Sequence, residues 1–244
     1  MSDIAIFLTG TGTGVGKTVA GCVVAAHWAA GERNPRVMKP AESACALVDG
    51  RLVPGDALAL KTAAGDPRPL DEICPYRYEV PLTPAHAAER EGEAPDLERI
   101  VAQVEALKEE GNPLLVEGAG GLLAPLADGV LISDLALAAS LPLVLVAPLG
   151  LGTINHTLLS VREAKRQGLR VLGVILSDTT GEATPAVERN PAAVAELCGA
   201  DAPLLGVIPH LTGVDEIMAR AAPGSGAAGE LLRLAEGLRL DALG

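Results

Sequence analysis

A glycine-rich segment carries the clearest chemical signal in the sequence. Residues 10–18 read Gly-Thr-Gly-Thr-Gly-Val-Gly-Lys-Thr, between a strand predicted over Ile4–Thr9 and a helix predicted over Lys17–Ala30. Glycines let backbone N–H groups face phosphate oxygens, and the N-terminus of a helix adds partial positive charge. Lys17 can reach the β- and γ-phosphates of a nucleotide, and the Thr18 hydroxyl can bind Mg²⁺. The segment therefore predicts a phosphate-binding loop.

The loop departs from the strict patterns of such loops. The pattern G-x-x-x-x-G-K-[ST] requires a glycine where the chain has Thr11, and Gly10 lies one residue too early. The dinucleotide pattern G-x-G-x-x-G is not met either, because no G-x-G pair in the loop is followed by a glycine at the third position required. A structural turn with a surface lysine is the alternative. The coincidence of strand, glycine-rich loop, Gly-Lys-Thr and helix favours the phosphate loop.

Two carboxylates are candidates for a divalent ion beside this loop, because Mg²⁺ prefers hard oxygen ligands. Glu117 ends an apolar strand predicted over Pro113–Glu117 and precedes the glycine-rich residues 118–121, as in a Walker B position that carries Glu. Asp56 fits a magnesium ligand and a helix N-cap equally well.

A second lysine ends another predicted strand, Arg36–Lys39. At the carboxyl edge of a parallel sheet, Lys39 would face the phosphate loop and stabilise developing negative charge. Taken alone, Lys39 is more typical of a solvated strand end, and Ser43 is equally ambiguous. After the buried strand Leu143–Ala147, Thr153 can cap the next helix, whose free N–H groups could hold a carboxylate.

Composition excludes several classes of protein. The 244 residues are 49% hydrophobic and 20% charged, which excludes a disordered chain. A net charge of -12 and an aromatic content of 2% argue against nucleic acid as a partner. The four cysteines lack metal-ligand spacing and indicate buried thiols in a reducing cytosol. The uncharged run Leu135–Asn155 contains Pro142 and Pro148, and we interpret it as helix, strand and loop rather than a membrane span.

Strands alternate with helices along most of the chain, which predicts one α/β domain over residues 1–244 with a parallel sheet covered by helices on both faces. Besides those already named, strands are predicted over Val171–Leu176 and Leu204–Ile208. The further helices are predicted over Ala57–Ala64, Leu97–Glu110, Leu131–Ala139, Ile154–Gln167, Ala192–Cys198 and Ala227–Leu238. Asp96 can cap the helix that begins at Leu97, and Asn190-Pro191 fits an N-cap and first turn.

Several blocks, in this order, resemble the dethiobiotin synthetase family. They are the loop Gly10–Thr18, Lys39-Pro40 with Ser43, residues 55–60, Pro75-Tyr76, Pro81 with Thr83-Pro84, residues 116–121, Gly152-Thr153-Ile154-Asn155-His156 and residues 206–209. The resemblance implies a single-domain, P-loop NTPase-like fold with a mostly parallel sheet. It also implies ATP-dependent closure of 7,8-diaminononanoate with CO2 to dethiobiotin, ADP and phosphate in biotin biosynthesis. The implied intermediates are a carbamate and a carbamic-phosphoric anhydride.

The resemblance also implies a role for each matching residue. Lys17 and Lys39 would be catalytic, and Thr18, Asp56 and Glu117 would hold Mg²⁺. The nucleotide would be bound by Gly14, Val15, Gly16, Lys17, Thr18, Val19, Asp56, Glu117, Gly118, Ala119, Gly120, Ser177, Asp178, Pro209, His210 and Leu211. The diamine would contact Thr13, Lys39, Ser43 and Thr83, and its carboxylate tail would bind Gly152, Thr153 and Asn155 of the neighbouring subunit of a cytoplasmic homodimer.

The chain departs from the family pattern at a few positions. Gly12 and Gly14 replace acids that are common in the loop, and Ala44 replaces the usual glycine. Ser177 stands where an Asn usually reads the adenine edge, which leaves the base selectivity open. Two other functions are weighed against the synthetase. One is a nonenzymatic nucleotide-switch ATPase of the partitioning type, and the other is an amidation enzyme of the cobyrinate a,c-diamide synthase type.

Overall fold

A computed structural model describes residues 4–243 of the chain. The strands are β1 (Ala5–Gly10), β2 (Arg36–Met38), β3 (Ala41–Glu42), β4 (Ala46–Val48), β5 (Arg51–Val53), β6 (Tyr76–Arg77), β7 (Leu114–Gly121), β8 (Pro125–Ala127), β9 (Val130–Leu131), β10 (Leu143–Pro148), β11 (Val171–Ser177) and β12 (Leu204–Ile208). The helices are α1 (Lys17–Ala30), α2 (Gly55–Ala64), α3 (Leu70–Ile73), α4 (Pro84–Glu91), α5 (Leu97–Glu109), α6 (Ile132–Ala138), α7 (Thr153–Arg166), α8 (Pro185–Cys198), α9 (Val214–Arg220) and α10 (Gly226–Glu236), with 3-10 turns at Gly199–Asp201 and Leu240–Leu243.

Six strands form the central sheet in the order β12-β11-β10-β1-β7-β2, and every neighbouring pair is parallel. From β1 the chain proceeds to β2 on one side of the sheet, whereas β10 leads to β11 on the other. The strand order therefore switches direction between β1 and β10. In open α/β sheets, ligands bind in the crevice beyond the carboxyl ends of the strands at such a switch.

The two faces of the sheet carry separate cores. Alternate residues of β1 point to opposite faces, so that Ile6 and Leu8 pack on one side and Phe7 on the other. Helices α1, α2, α9 and α10 cover the first face, and α4 to α8 cover the second. All four cysteines are buried with free thiols. The predicted parallel sheet with helices on both faces is confirmed.

Each of the six predicted strands is a strand of the central sheet, with ends shifted by a few residues. Asp96 caps α5 as predicted, since its carboxylate accepts the backbone N–H of Arg99 at 3.0 Å. The prediction for Asn190-Pro191 was wrong, because α8 already begins at Pro185 behind the N-cap Thr184. Both sites offer a polar cap followed by proline, and the helix starts at the earlier one.

The short strands β3 to β6, β8 and β9 and the helices α3, α4 and α9 were not predicted from the sequence. Most of them have two to four residues, too few to show a hydrophobic period. Within residues 4–243, no helix combines the length and the apolar character needed to cross a membrane.

Candidate functional site

The glycine-rich loop joins β1 to α1 in a conformation that depends on its glycines. Gly14 and Gly16 have φ angles of 72° and 87°, in the left-handed region that side chains disfavour. Gly16 is the N-cap of α1, and no side chain in the described part of the chain caps this helix. Its first N–H groups therefore remain available to an anion, as a phosphate loop requires.

Lys17 lies at the start of α1 and is 7% exposed. Its Nζ donates a hydrogen bond to the carbonyl oxygen of Gly12 at 2.9 Å, across the loop. The pKa of Lys17 is lowered to about 8, mainly by burial and also by the nearby charge of Lys39, against the opposing effects of Glu117 and Asp56. The loop thus holds an ammonium group that is easily deprotonated until an anion arrives.

Four polar side chains meet beneath the loop, and we call Thr18, Lys39, Asp56 and Glu117 the acid–lysine cluster. Lys39 Nζ donates to Asp56 Oδ2 at 2.7 Å and to Glu117 Oε1 at 2.5 Å. Thr18 Oγ1 donates to the same Glu117 oxygen at 3.0 Å. The other oxygen of Glu117, Oε2, is buried and has no hydrogen-bond partner within residues 4–243. Lys39 directly follows β2, as predicted, whereas Glu117 lies within β7 and does not end it, because the strand continues to Gly121.

Burial and charge together set the protonation of the cluster. Burial by itself would lower the pKa of Lys39, but the carboxylates of Glu117 and Asp56 raise it well above its usual value. Burial raises the pKa of Glu117, an effect that the charge of Lys39 opposes. Burial also raises the pKa of Asp56, but the charge and hydrogen bond of Lys39 outweigh this effect, so that the pKa is lowered. Lys39 is therefore a fixed positive charge at neutral pH.

A third carboxylate, that of Glu42, was missed by sequence reasoning. It lies on β3, three residues after Lys39, and burial raises its pKa to about 7. Its oxygens accept the backbone N–H groups of Asp56 and Ala57 at 2.9 and 3.0 Å. The one sequence feature that points to Glu42 is its place between Lys39 and Ser43. The neighbouring sequence does not show that its side chain reaches α2.

A cavity of about 710 Å³ opens above the acid–lysine cluster. Its walls contain many of the residues predicted for the site: Thr13, Gly14, Gly16, Lys17, Thr18, Val19, Lys39, Ser43, Asp56, Thr83, Ala119 and Gly120. The lining also contains residues that were not predicted: Glu42, Ala44, Pro81, Leu82, Pro84, His86, Thr179, Asp215 and Met218. Thr83 Oγ1 and His86 Nδ1 lie 2.8 Å apart and share a hydrogen bond on this wall. Val15, Glu117 and Gly118 are not in the lining, and Val15 and Glu117 are buried.

The residues predicted to hold the base lie after β11 and β12, and none of them lines the cavity. Ser177 is buried, and a Cβ atom placed on Gly16 would lie 2.3 Å from its hydroxyl oxygen. The carboxylate of Asp178 accepts the backbone N–H of Thr180 at 3.1 Å. Leu211 packs against the core on the α1 face. Pro209 and His210 join this segment to β12.

Residues 149–155, the Gly150 loop, follow β10 and are also absent from the lining of the cavity. The prediction that Thr153 caps α7 was wrong, because Gly152 occupies the N-cap position. Thr153 is instead the first helical residue and is buried, with its hydroxyl 3.5 Å from that of Thr157. Leu151 at the tip is 94% exposed.

Asn190 holds the base of the Gly150 loop from α8. Its Nδ2 donates to the carbonyl oxygens of Leu149 and Gly150, both at 2.8 Å. This buried amide therefore fixes the position of the loop, which explains an asparagine that the sequence had suggested as a helix cap.

Residues 4–243 contain no group of three or more His, Cys, Asp or Glu side chains able to hold a metal ion by themselves. The acid–lysine cluster supplies two carboxylates and a hydroxyl, all hard oxygen donors. The unpartnered Glu117 Oε2 is a buried acceptor that lacks the partner such atoms normally have. These residues fit Mg²⁺, which typically takes one or two carboxylates and completes its shell with phosphate and water.

Comparison with known proteins was made by sequence and by structure. Residues 5–218 match a family model described as an AAA domain. An ATP-dependent dethiobiotin synthetase BioD from Anaeromyxobacter dehalogenans (strain 2CP-C) is 44% identical over 192 residues, 79% of this chain and 84% of the relative. The protein of the same name from Bacillus thuringiensis (strain Al Hakam) is 41% identical over 207 residues, 85% of this chain and 84% of the relative.

Among solved structures, the MinC:MinD cell division protein complex of Aquifex aeolicus matches with a TM-score of 0.57 and 16% identity, covering 95% of this chain and 94% of that one. A ParA family ATPase from Chlorobium tepidum TLS matches with a TM-score of 0.52 and 13% identity, covering 96% and 100%. These likenesses show the fold alone, and they confirm the predicted P-loop NTPase-like architecture.

Proposed function

The chain belongs to the family of ATP-dependent dethiobiotin synthetases, and from this premise we propose its substrates and the residues that act on them. It is an ATP-dependent ligase of biotin biosynthesis. The observation that carries the assignment of roles is the placement of Lys39, buried between Asp56 and Glu117 at the floor of the cavity beneath the phosphate loop.

The proposed reaction joins 7,8-diaminononanoate with CO2 at the expense of ATP. An amine of the diamine attacks CO2 and loses a proton, which gives a carbamate. A carbamate oxygen attacks the γ-phosphorus of ATP, and ADP leaves. The second amine then closes the cyclic urea, and phosphate is expelled. A carbamate beside a triphosphate concentrates negative charge, so a site for this reaction needs fixed positive groups.

Lys39 and Lys17 are the groups proposed for that purpose. Lys39 is charged across the neutral pH range, and we assign it to the carbamate. Lys17 is assigned to the transferring phosphoryl group, because it lies in the phosphate loop and its Nζ bonds there to the Gly12 carbonyl oxygen. Thr13, Ser43 and Thr83 line the same cavity as Lys39, and we assign them to contact with the diamine. The buried Ser43 hydroxyl has no partner within residues 4–243 and is free to contact it.

Mg²⁺ is proposed at the oxygens of Thr18, Asp56 and Glu117, where it would neutralise charge on the phosphates. The remaining nucleotide contacts are assigned to the loop residues Gly14 to Val19, to Gly118, Ala119 and Gly120, and to the segments after β11 and β12. Ser177 packs against Gly16. A serine hydroxyl also offers fewer hydrogen-bond donors and acceptors to the base than the amide of asparagine. We therefore expect weak discrimination among nucleoside triphosphates.

A homodimer is proposed to complete the diamine site. Gly152, Thr153 and Asn155 lie outside the cavity of their own chain, and among the described residues no side chain caps α7. Its first N–H groups suit a carboxylate, so a second copy would offer them to the tail of the diamine. The exposed Leu151 supports an interface at this loop, since a leucine that is 94% exposed gains most from being covered. The free buried thiols support a reducing, cytoplasmic location.

The test is incubation of purified protein with MgATP, bicarbonate and 7,8-diaminononanoate, with phosphate release and product mass followed together. We expect that phosphate is released only when the diamine is present, and that the organic product has the mass of the cyclic urea. Release that is indifferent to the diamine would contradict the proposal and favour a nucleotide switch. Replacing ATP by CTP or GTP in the same assay measures the discrimination among bases.

A further inference from the structure

Glu42 ties two parts of the site together through the backbone. Its side chain is 6% exposed, and it comes from β3, which pairs with β6 beside the central sheet. Its two oxygens accept hydrogen bonds from consecutive N–H groups, those of Asp56 and Ala57, fourteen and fifteen residues further along the chain. Both oxygens are therefore committed to the first turn of α2.

Helix α2 needs an acceptor at this end. Its N-cap is Pro54, and no side chain within the helix caps its first turn. The first N–H groups of a helix have no partner inside it, and those that are buried are costly to leave unpaired. A carboxylate also matches the partial positive charge of a helix N-terminus. Glu42 supplies this acceptor from another element of the structure.

The residue held in this way is a member of the acid–lysine cluster. Asp56 lies in the first turn of α2, and its carboxylate contacts Lys39 at 2.7 Å. Its side chain is 44% exposed, so packing alone does not fix its position. The hydrogen bond that the Asp56 N–H donates to Glu42 holds the backbone from which the Asp56 carboxylate projects.

We propose that Glu42 is a positioning residue, whose two hydrogen bonds to the start of α2 set the Asp56 carboxylate for divalent-ion binding in the proposed reaction. This inference rests on the proposed function, since it takes Asp56 as a ligand of the ion. Contact with the diamine is not the role assigned to Glu42. On this segment the unpartnered polar atom is the neighbouring Ser43 Oγ.

The test uses binding rather than turnover, with the full chain, ADP and Mn²⁺ as the probe in electron paramagnetic resonance titrations. Glu42→Ala is expected to weaken Mn²⁺ binding in the presence of ADP by about tenfold or more, the range typical of residues that orient metal ligands. Glu42→Gln keeps one acceptor oxygen and is expected to fall between Glu42→Ala and the unchanged protein. The affinity for ADP without the ion is expected to stay the same in both variants.

A double-mutant cycle with Asp56→Asn separates an action through Asp56 from an independent one. If Glu42 acts through Asp56, adding Glu42→Ala to Asp56→Asn will cause little further loss of Mn²⁺ affinity. Full additivity, or an unchanged Mn²⁺ affinity in Glu42→Ala, would overturn the inference. A variant that only weakens binding of the diamine would also overturn it, because that outcome makes Glu42 a substrate contact.

Asp96→Ala is the matched control for stability. Asp96 also uses a carboxylate to accept an N–H at the start of a helix, α5, and lies outside the acid–lysine cluster. Its loss is expected to lower the melting temperature without changing Mn²⁺ affinity. Should Glu42→Ala fail to fold, Glu42→Gln decides the question. If the unchanged protein binds Mn²⁺ with ADP but shows no diamine-dependent turnover, the substrate assignment fails while the test of Glu42 remains valid.

Discussion

Two regions at the carboxyl edge of the sheet differ in how far their groups find partners within one chain. In the acid–lysine cluster, below the loop after β1, Lys39 and Glu117 are buried, Asp56 is partly exposed, and Lys39 is paired with both carboxylates. The Gly150 loop, after the neighbouring strand β10, carries the 94% exposed Leu151 and leads into α7, which no side chain within residues 4–243 caps. The first region draws its ion pairs from a single chain, whereas the second exposes an apolar side chain and a helix start that no side chain within residues 4–243 caps.

The difference suggests a division of labour. Buried charges such as those of Lys39 and Glu117 act strongly on charge that develops beside them, because the local dielectric is low. An exposed loop gains its function when a second molecule covers it. We therefore expect changes in the cluster to affect the chemical step, and changes in the Gly150 loop to affect assembly and binding of the diamine tail.

The largest effect is expected from Lys39→Ala. Loss of the positive charge assigned to the carbamate should lower dethiobiotin formation by about 10²–10³-fold or more, as for other preorganised charges. Nucleotide affinity should change little, because Lys17 and the loop remain. Removing one partner of a buried ion pair should also cost about 3–5 kcal/mol of stability. Turnover, ADP binding and urea unfolding measure the three effects.

Arg36→Ala on the same strand is the control for Lys39→Ala. Arg36 pairs with Glu110 at 2.6 Å near the surface, and such pairs contribute about 0–1 kcal/mol. This variant should keep normal turnover. Collapse of nucleotide affinity in Lys39→Ala, with turnover retained, would show that the role assigned to Lys39 is wrong.

The next largest effect is expected from Leu151→Asp, which places a charge at the tip of the Gly150 loop. It should shift the protein to monomers in analytical ultracentrifugation. It should also raise the KM for the diamine by about tenfold or more, the effect of losing one hydrogen bond to a charged group. The affinity for ADP should not change.

Leu197→Asp is the control for this variant, because Leu197 is 54% exposed on α8, outside the Gly150 loop. It should remain dimeric with an unchanged KM. If Leu151→Asp keeps the association state and the KM of the unchanged protein, the two regions do not divide as we propose.

Some residues of the site could be predicted from the sequence, and others could not. The six central strands are short apolar runs, and Lys39 and Glu117 were found because both stand where such a run ends. The ends of parallel strands must meet at one edge, so a local pattern was enough to bring these two residues together.

Glu42 and Asn190 could not be placed in this way. The partners of Glu42 follow fourteen and fifteen residues later, and those of Asn190 precede it by about forty. No local period or motif encodes such contacts. Asn190-Pro191 even carries the pattern of a helix start, which the tertiary contact with the Gly150 loop overrides.

Tight packing around the cluster gives a smaller effect that the sequence could not show. A Cβ atom on Gly21 of α1 would lie 2.7 Å from Leu60 Cδ2 and 3.1 Å from Glu117 Oε2. Gly21→Ala should therefore cost about 1–3 kcal/mol of stability through overpacking. It should also raise the Mg²⁺ concentration needed for turnover, since Glu117 must move.

Gly229→Ala is the matched control, because Gly229 lies inside α10 with open space around it. There alanine should stabilise the protein by up to about 1 kcal/mol, its advantage over glycine in a helix. Equal stability changes in the two variants, measured by urea unfolding, would mean that the cluster is not packed as tightly as the structure indicates.

The smallest effect concerns pH and the phosphate loop. Burial lowers the pKa of Lys17 to about 8, and a bound nucleotide should raise it again because the ammonium group gains an anionic partner. The affinity for ATP should therefore be constant well below pH 8. It should fall as the pH rises through 8, by up to about tenfold per pH unit until the pKa of the complex is reached.

Calorimetric titration of ATP between about pH 7 and 9.5, in EDTA, isolates this effect from the divalent ion. Lys17→Arg should bind with a flat pH profile in the same range, because a guanidinium stays charged there. A flat profile in the unchanged protein would mean that Lys17 keeps its proton above pH 9. In that case the acid–lysine cluster, whose carboxylates favour the charged ammonium, would govern Lys17 more strongly than burial does, and the loop could not be treated as independent of the cluster beneath it.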